Sequence, residues 1–428
     1  VADPGTRVEA ARERARAAVE AARPALEARA DRLTARVLSA MGDAGVGASD
    51  FAPSSGYGYD APGRARLESV WARLCGAEAA LVRPHVAGGS AAVALMLFAA
   101  CRTGGELVIA TGEPYDSVRR VVAGAPGSLA EWGVETRVLP YGQGTDPGAL
   151  AAAIGPRTTC VHVQRSRGYD RRPSLPAARI GELAAAVHAR APHVSLTVDN
   201  CYGEFVEDEE PTALGADMCA GSWTKNPGGG LATTGGYVAG REALVRRAAS
   251  RLYAPGQDGD VGAVPEGHRL AFQGLFLAPG AVAEALCAAV YASALFDALG
   301  FVVDPGPAAG ARVDLVTRIE LGDAPTLLAA ARAIQAASPV DSRAVPEPGD
   351  MPGYADPVVM AAGTFVQGGG LELTADAPMR APYDLFVQGG LRLVAARIAL
   401  DRAAGAVLAA RAARPLATAV PGGSRRGA

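Results

Sequence analysis

From about residue 67 to residue 248, short apolar segments alternate with helical ones, and no other feature of the chain restricts its fold as much. The strand-like segments are 107–110, 135–139, 158–163, 195–198, 218–221 and 236–239, and the one at 195–198 ends at Asp199. Helical spacing of apolar residues marks 66–75, 90–101, 115–122 and 175–191. The strands are apolar throughout and rich in β-branched residues. This predicts an α/β fold whose mostly parallel sheet is covered by helices on both faces. Ligands of such sheets bind beyond the carboxyl ends of the strands, so polar residues just after a strand are the first candidates for chemistry.

The flanks read differently. Apolar residues recur at helical spacing from Val8 to Val37, which predicts a helix over 6–41. It reads equally as a packing or dimerisation helix and, because its face is mostly Ala, as a solvated arm. Residues 241–300 read as helices, the last over 282–299. Beyond Pro305, strands at 313–319, 357–362 and 371–374 mix with helices at 325–337 and 390–410, as in a smaller α+β domain. The expected organisation is therefore a helical segment over 1–50, a large domain over 51–300 and a small domain over 301–428, with a frayed Gly/Arg-rich tail at 421–428. A length of 428 residues, 49% of them hydrophobic, supports cores for two or three such units.

The formal net charge of -3 provides no basic field for nucleic acid. Six cysteines are scattered without CxxC or Cys/His zinc spacing, so no metal centre is expected, and the thiols read as buried in a reducing cytosol. Residues 1–40 are charged and lack the apolar core of a secretion signal. The longest apolar run noted, 91–101, is too short to span a bilayer. These readings predict a cytoplasmic protein with no membrane partner.

Against this background one residue stands apart: Lys225 is the only lysine, although Lys and Arg together number 41. Arg replaces Lys freely as a solvated charge. It cannot replace it in forming an imine with an aldehyde cofactor, because guanidinium stays protonated. Lys225 follows a short strand and precedes Asn226-Pro-Gly-Gly-Gly230, with the hydroxyls of Ser222 and Thr224 beside it. Asp199 ends an apolar strand, where a carboxylate needs a cationic partner such as a protonated pyridine nitrogen. It reads otherwise as a helix cap or a metal ligand, although no His or carboxylate pattern around it favours metal. Gly88-Gly89-Ser90 opens an apolar helix, where free amides favour a phosphate, or where Ser90 is a plain cap. The acidic run from Glu204 to Glu210 reads as a solvated loop.

The order of these features resembles fold-type-I enzymes dependent on pyridoxal 5'-phosphate (PLP), especially the Cys/Met-metabolism group. Within that group the phrases Gly56-Tyr-Gly-Tyr-Asp60, Val82-Arg-Pro84, Gln164-Arg-Ser-Arg-Gly-Tyr169, Lys225-Asn-Pro-Gly-Gly-Gly230 and Thr364-Phe-Val-Gln-Gly-Gly369 are similar to the methionine gamma-lyase-like branch, often labelled aluminium-resistance proteins. The likeness runs from about Gly56 to Ala410.

The resemblance implies a large mostly parallel seven-stranded-type sheet domain and a smaller C-terminal α+β domain. It implies that Lys225 carries PLP as a Schiff base and shuttles protons, and that Asp199 pairs with the pyridine nitrogen. Tyr115 would stack on the ring and act as an acid toward the leaving group; read alone, it is a loop tyrosine packed on the core. Gly88, Gly89, Ser90, Ser222 and Thr224 would hold the phosphate. Tyr57 and Arg64 would reach the phosphate of a neighbouring subunit, in a homodimer or homotetramer; read alone, Tyr57 and Tyr59 are equally loop anchors. Arg380 is the candidate for the substrate carboxylate, with Arg165 and Arg167 as competitors. His85 stands where the branch usually has Gln and Gly88 where Ser is usual; His85 reads as a substrate-facing base or a structural histidine. The implied activity is elimination of a sulfur leaving group from a cysteine- or homocysteine-type amino acid, by β- or γ-elimination. The alternatives are an aminotransferase, including one acting on a sugar nucleotide, a PLP enzyme of secondary metabolism, and a non-catalytic binding or regulatory protein on the same fold.

Overall fold

In a computed structural model the alternating segments form one sheet; the structure describes residues 4–413, so the tail expected at 421–428 lies outside it. The seven strands are β1 (Ala79–Arg83), β2 (Glu106–Ile109), β3 (Glu135–Val138), β4 (Thr158–Gln164), β5 (Ser195–Asp199), β6 (Met218–Ser222) and β7 (Gly236–Gly240). Their order is β1-β7-β6-β5-β4-β2-β3. Strands β3, β2, β4, β5 and β6 run parallel, and β7 is antiparallel to both β6 and β1. The edge strand β1 is the member the sequence reading lacked.

The uninterrupted apolarity of these strands follows from burial on both faces. In β2, Leu107 and Ile109 join a core with helices Gly89–Ala100 and Glu242–Leu252. Val108 between them faces the opposite core, with helices Pro62–Cys75 and Ala177–Arg190. All five residues of β5 are buried, Asp199 included.

A second, antiparallel sheet contains β8 (Val302–Asp304), β9 (Thr317–Glu320), β10 (Val358–Ala361), β11 (Thr374–Pro378) and β12 (Asp384–Gln388), in the order β10-β11-β12-β9-β8. Side chains alternate along each strand. Val359, Ala361, Ala375, Ala377, Leu385 and Val387 enter a core with helices Ala324–Gln335 and Leu393–Ala412. Met360, Thr374, Asp376, Phe386 and Gln388 line a cavity instead. The strand expected at 371–374 falls instead at β11, and β8 and β12 lie where no strand was expected. The true strand β11 is Thr-Ala-Asp-Ala-Pro, a composition depleted in strands, and is held by its partners β10 and β12 rather than by propensity.

Two long helices bind the sheets together. Pro4–Asp43 lies along Arg269–Ala298, which begins well before the expected 282. Val8, Ala11, Ala15 and Val19 join the core of the second sheet, and Leu33, Val37 and Ala40 that of the first. On the other helix, Phe272 to Leu286 serve the first core and Cys287 to Phe296 the second. Both helices end short of residues 50 and 300, yet each contributes to both cores, and the alanine face of the first is buried in this chain rather than solvated. Arg269–Ala298 is long and apolar enough to cross a membrane, a feature absent from the sequence reading, and 67% of its apolar window is buried inside the protein.

Trp71, with no exposed surface, joins three aromatic neighbours edge-on: Phe205 at 5.8 Å, Trp223 at 5.2 Å and Tyr237 at 4.9 Å between ring centres. This cluster lies under the segment that carries Lys225. Trp71→Ala is expected to cost about 3–5 kcal/mol of unfolding free energy, measured by denaturant titration followed by circular dichroism.

Candidate functional site

A cavity of about 450 Å³ opens at the carboxyl ends of β5 and β6, bounded on its far side by β10, β11 and β12. Asp199 ends β5 and lies in register with Ala220 of β6, so the segment leaving β6 carries Ser222, Thr224 and Lys225 to the same edge. The helix Gly89–Ala100 points its amino end into this edge, with Ser90 in its first turn. The Ser222 and Thr224 hydroxyls are hydrogen-bonded to each other at 2.9 Å, and Ser90 Oγ lies 2.5 Å from Ser117 Oγ.

Glycines fix the shape of this corner. A Cβ on Gly89 would come within 2.9 Å of Cys201 Sγ, and one on Gly369 within 2.3 Å of Thr224 Oγ1. Gly228 and Gly274 touch so closely that a Cβ on Gly274 would lie 2.1 Å from the Gly228 carbonyl, which clamps the lysine segment onto the long helix.

Lys225 Nζ lies 3.9 Å from the centre of the Tyr202 ring. Tyr202 holds a left-handed φ of 70°, a conformation that costs a non-glycine residue about 1–2 kcal/mol. Burial opposes the charge on Lys225, yet Tyr202, Cys201 and Asp199 outweigh it and raise the ammonium pKa. Burial likewise pushes the Asp199 carboxyl up, while the Cys201 amide, donating at 3.1 Å, and Lys225 pull it back. Burial pushes the Tyr202 phenol up to about 12 and Tyr115 well above the usual range. The Tyr115 amide donates to Gln164 Oε1 at 2.8 Å, its hydroxyl is hydrogen-bonded to that of Tyr354, and its ring packs edge-on against Tyr169 and Tyr354.

This donor set fits PLP. One lysine amine and one buried carboxylate stand at neighbouring strand ends, as an aldehyde and a pyridine nitrogen on one ring require. Free helix amides and three hydroxyls suit a phosphate. The corner has no room for a side chain at Gly89, and Gly88 adopts φ 91° with nothing within 4 Å of a Cβ.

The structure thus brings Lys225, Asp199, Tyr115, Gly88, Gly89, Ser90, Ser222 and Thr224 to one cavity. The other expected residues lie elsewhere. Arg165 is fully buried beneath the site, bonded to Asn200 at 2.7 Å and Glu207 at 2.6 Å, with Glu210 at 3.8 Å. Arg167 pairs with Asp304 at 2.5 Å. Arg380 is exposed and pairs with Asp356 at 2.9 Å. His85 is exposed and bonded to Tyr253 at 3.0 Å, and burial and Arg83 lower its pKa. Tyr57 is 68% exposed and stacked on Tyr59. Arg64 turns inward to the carbonyls of Gly58 at 2.6 Å, Asp260 at 2.9 Å and Gly262 at 3.3 Å, so in this chain it braces the tyrosine loop. No arginine lines the cavity among the described residues, because each candidate is drawn off by a carboxylate or by carbonyls.

The acidic run is a correction. Glu210 is buried 3.8 Å from the buried Arg165, which requires a counter-charge, and Glu204 is buried against the Tyr237 hydroxyl. The Tyr237 hydroxyl donates to Glu204 Oε1 at 2.7 Å, while Oε2 is buried without a partner. The sequence reading also missed Cys201, Tyr202, Tyr169, Tyr354, Asp376 and Gln388 in the cavity lining. Cys201 and Tyr202 were detectable from their place just after Asp199, and Asp376 from its alternation with Ala375 and Ala377. Tyr354, in an irregular loop, left no signal.

Comparison with known proteins agrees with the geometry. A family model described as methionine gamma-lyase matches residues 8–408. The uncharacterized protein YnbB of Bacillus subtilis (strain 168) is 43% identical over 362 residues, 83% of this chain and 86% of its own. A solved structure from Listeria monocytogenes, named as a candidate cystathionine beta-lyase involved in aluminum resistance, is 42% identical with a TM-score of 0.88, covering 92% of this chain and 98% of its own. A carbon-sulfur lyase involved in aluminum resistance from Clostridium novyi NT is 36% identical with a TM-score of 0.88, covering 94% and 96%.

Burial pushes the Glu204 carboxyl up to about 8, from an ordinary value of 4.5. A raised folded-state pKa means that this group's contribution to stability is complete below pH 4.5 and is lost as pH rises to about 8. The loss from this group is about 1.4 kcal/mol per pH unit across that window. Glu204→Gln, which mimics the neutral acid, is expected to flatten the decline and to be more stable than the parent at pH 8. Denaturation midpoints at pH 5 and pH 8 measure it.

Proposed function

The chain belongs to the methionine gamma-lyase family and is a PLP-dependent carbon–sulfur lyase, and on that footing we propose how its residues divide the work. The reading rests above all on one juxtaposition: the chain's only lysine faces the cavity just beyond β6, and a buried Asp199 ends the adjacent β5. When bound, PLP supplies an electron sink that lets bonds at and near the substrate's α-carbon break.

Lys225 Nζ would hold the cofactor by its aldehyde, and its amine, when free, is the base within the cavity. The freed amine then takes the proton from the α-carbon and returns a proton where it is needed. Asp199 would pair with the pyridine nitrogen and favour its protonated form. The amides of Gly89 and Ser90, the open backbone at Gly88 and the hydroxyls of Ser90, Ser222 and Thr224 would hold the phosphate. Tyr115 walls one side of the cavity. Its phenol, raised by burial, keeps its proton at neutral pH and so can donate it to the departing sulfur. The carbon–sulfur bond breaks, the thiol leaves with a proton, and water completes the conversion to a 2-oxo acid and ammonia. The substrate is a cysteine- or homocysteine-type thioether, cleaved by β- or γ-elimination. With no arginine in the lining among the described residues, its α-carboxylate would rest on neutral donors such as Gln367.

The exposed Tyr57–Tyr59 stack, braced by Arg64, would face the phosphate of a neighbouring copy in a homodimer or homotetramer. Five buried thiols and one partly buried thiol, all free, suit a reducing cytoplasm.

The protein loaded with PLP is expected to be yellow, and borohydride should fix the cofactor to the Lys225 peptide, as read by mass spectrometry. It should release thiol, 2-oxo acid and ammonia in equal amounts from thioether amino acids. Oxo acid with pyridoxamine phosphate and no thiol would overturn the reading. Asp199→Asn should lower kcat/KM by a hundredfold or more, since breaking a buried ion pair costs about 3–5 kcal/mol. Light scattering should give at least twice the mass of one chain, and Tyr57→Ala should weaken PLP retention.

A further inference from the structure

The wall opposite Lys225 carries a carboxyl group for which the proposed reaction has no use. On β11, Ala375 and Ala377 face the core while Thr374 and Asp376 face the cavity. Asp376 sits between Met360 of β10 and Phe386 of β12 in the cross-strand register, two apolar residues that line the same cavity. Its hydrogen bond to Gln388 Nε2, 3.1 Å from Oδ2, brings no positive charge, and burial raises its pKa against the attraction of Lys225. Arg380, two residues beyond the strand, is held outside by Asp356. Lys225 is thus the only cation lining the cavity among the described residues, and it is assigned to the cofactor. Tyr115, Tyr169, Tyr202 and Tyr354 lie within electrostatic reach of the same carboxylate.

A carboxylate placed in such a wall without a counter-ion is costly. Aromatic rings nearby favour a cation over an anion. The substrate's α-ammonium must go to the position that Lys225 vacates, so the charge that satisfies Asp376 is a second one. We propose that Asp376 is a specificity residue for a cationic group on the sulfur substituent, so that the favoured substrates are thioether amino acids whose departing thiol bears an ammonium. This rests on the carbon–sulfur lyase reading and narrows its substrate class. The same wall disfavours a departing group that bears only a carboxylate, which would meet Asp376 and no guanidinium.

Two thioethers of nearly equal shape test it: S-aminoethylcysteine, ending in an ammonium, and S-propylcysteine, ending in a methyl group. The holoenzyme should show kcat/KM for the first above that for the second by roughly thirtyfold, the scale of a desolvated charge pair. S-carboxyethylcysteine should be the poorest of the three. Asp376→Asn should bring the ratio of the first two close to one. A ratio near one in the unmodified protein, or a parallel loss on both substrates in the variant, would overturn the proposal; the parallel loss would assign Asp376 to Lys225 instead. Binding gives an independent reading, because free lysine is the analogue of S-aminoethylcysteine with a methylene in place of sulfur. In calorimetric titration of the holoenzyme, lysine should bind at least about tenfold more tightly than 2-aminoheptanoate, and Asp376→Asn should remove the difference. If no thioether releases thiol but lysine is still preferred, the lyase reading fails while the role of Asp376 stands.

Discussion

The structure is organised around keeping one amine among buried acids. Lys225 shares its surroundings with Asp199 on one side and Asp376 on the other, while Glu204 lies beneath. Water contributes little here, so each carboxylate is either neutral or answered by a specific donor. Asp199 receives the Cys201 amide, Glu204 the Tyr237 hydroxyl and Asp376 the Gln388 amide group. The sheet exists in this order because it sets Asp199 and the lysine segment side by side at one edge. The second sheet exists opposite because its outward residues close the cavity over that edge.

That order is enforced by close packing of backbone rather than by the loop's own preferences. The Gly228–Gly274 contact holds the lysine segment against a helix that is itself shared by both hydrophobic cores. Tyr202 accepts a strained backbone so that its ring can meet Lys225 Nζ. Local strain near the amine is thus offset by packing spread over both sheets.

Much of the first sheet was legible in the sequence, since a parallel strand buried on both faces is an apolar run that little else imitates. Its edge strand β1 and the second sheet were harder to read. In β11 the residues are small or polar, and the partners decide the structure. The Lys225–Asp199 pair and the helix opening at Gly88–Ser90 were legible because each combines an unusual residue with a strand or helix end. The arginines were not. With so many in the chain, sequence alone does not say which ones are claimed by Glu207, Asp304 or Asp356, and those pairings cross segments far apart in sequence. The burial of Glu210 was hidden for the same reason, since a run of acids looks solvated until the buried Arg165 beside it is known; that of Glu204 depends on the Tyr237 hydroxyl, likewise distant in sequence.

The use of arginine for every other basic side chain has a practical meaning beyond catalysis. Reagents that acylate amines find a single ε-amino group in the chain, and it opens onto the reaction cavity. Apart from the α-amino group at the chain start, the extent of acylation therefore counts vacant sites. The protein carries its own stoichiometric occupancy gauge, with no second ε-amino group to add background.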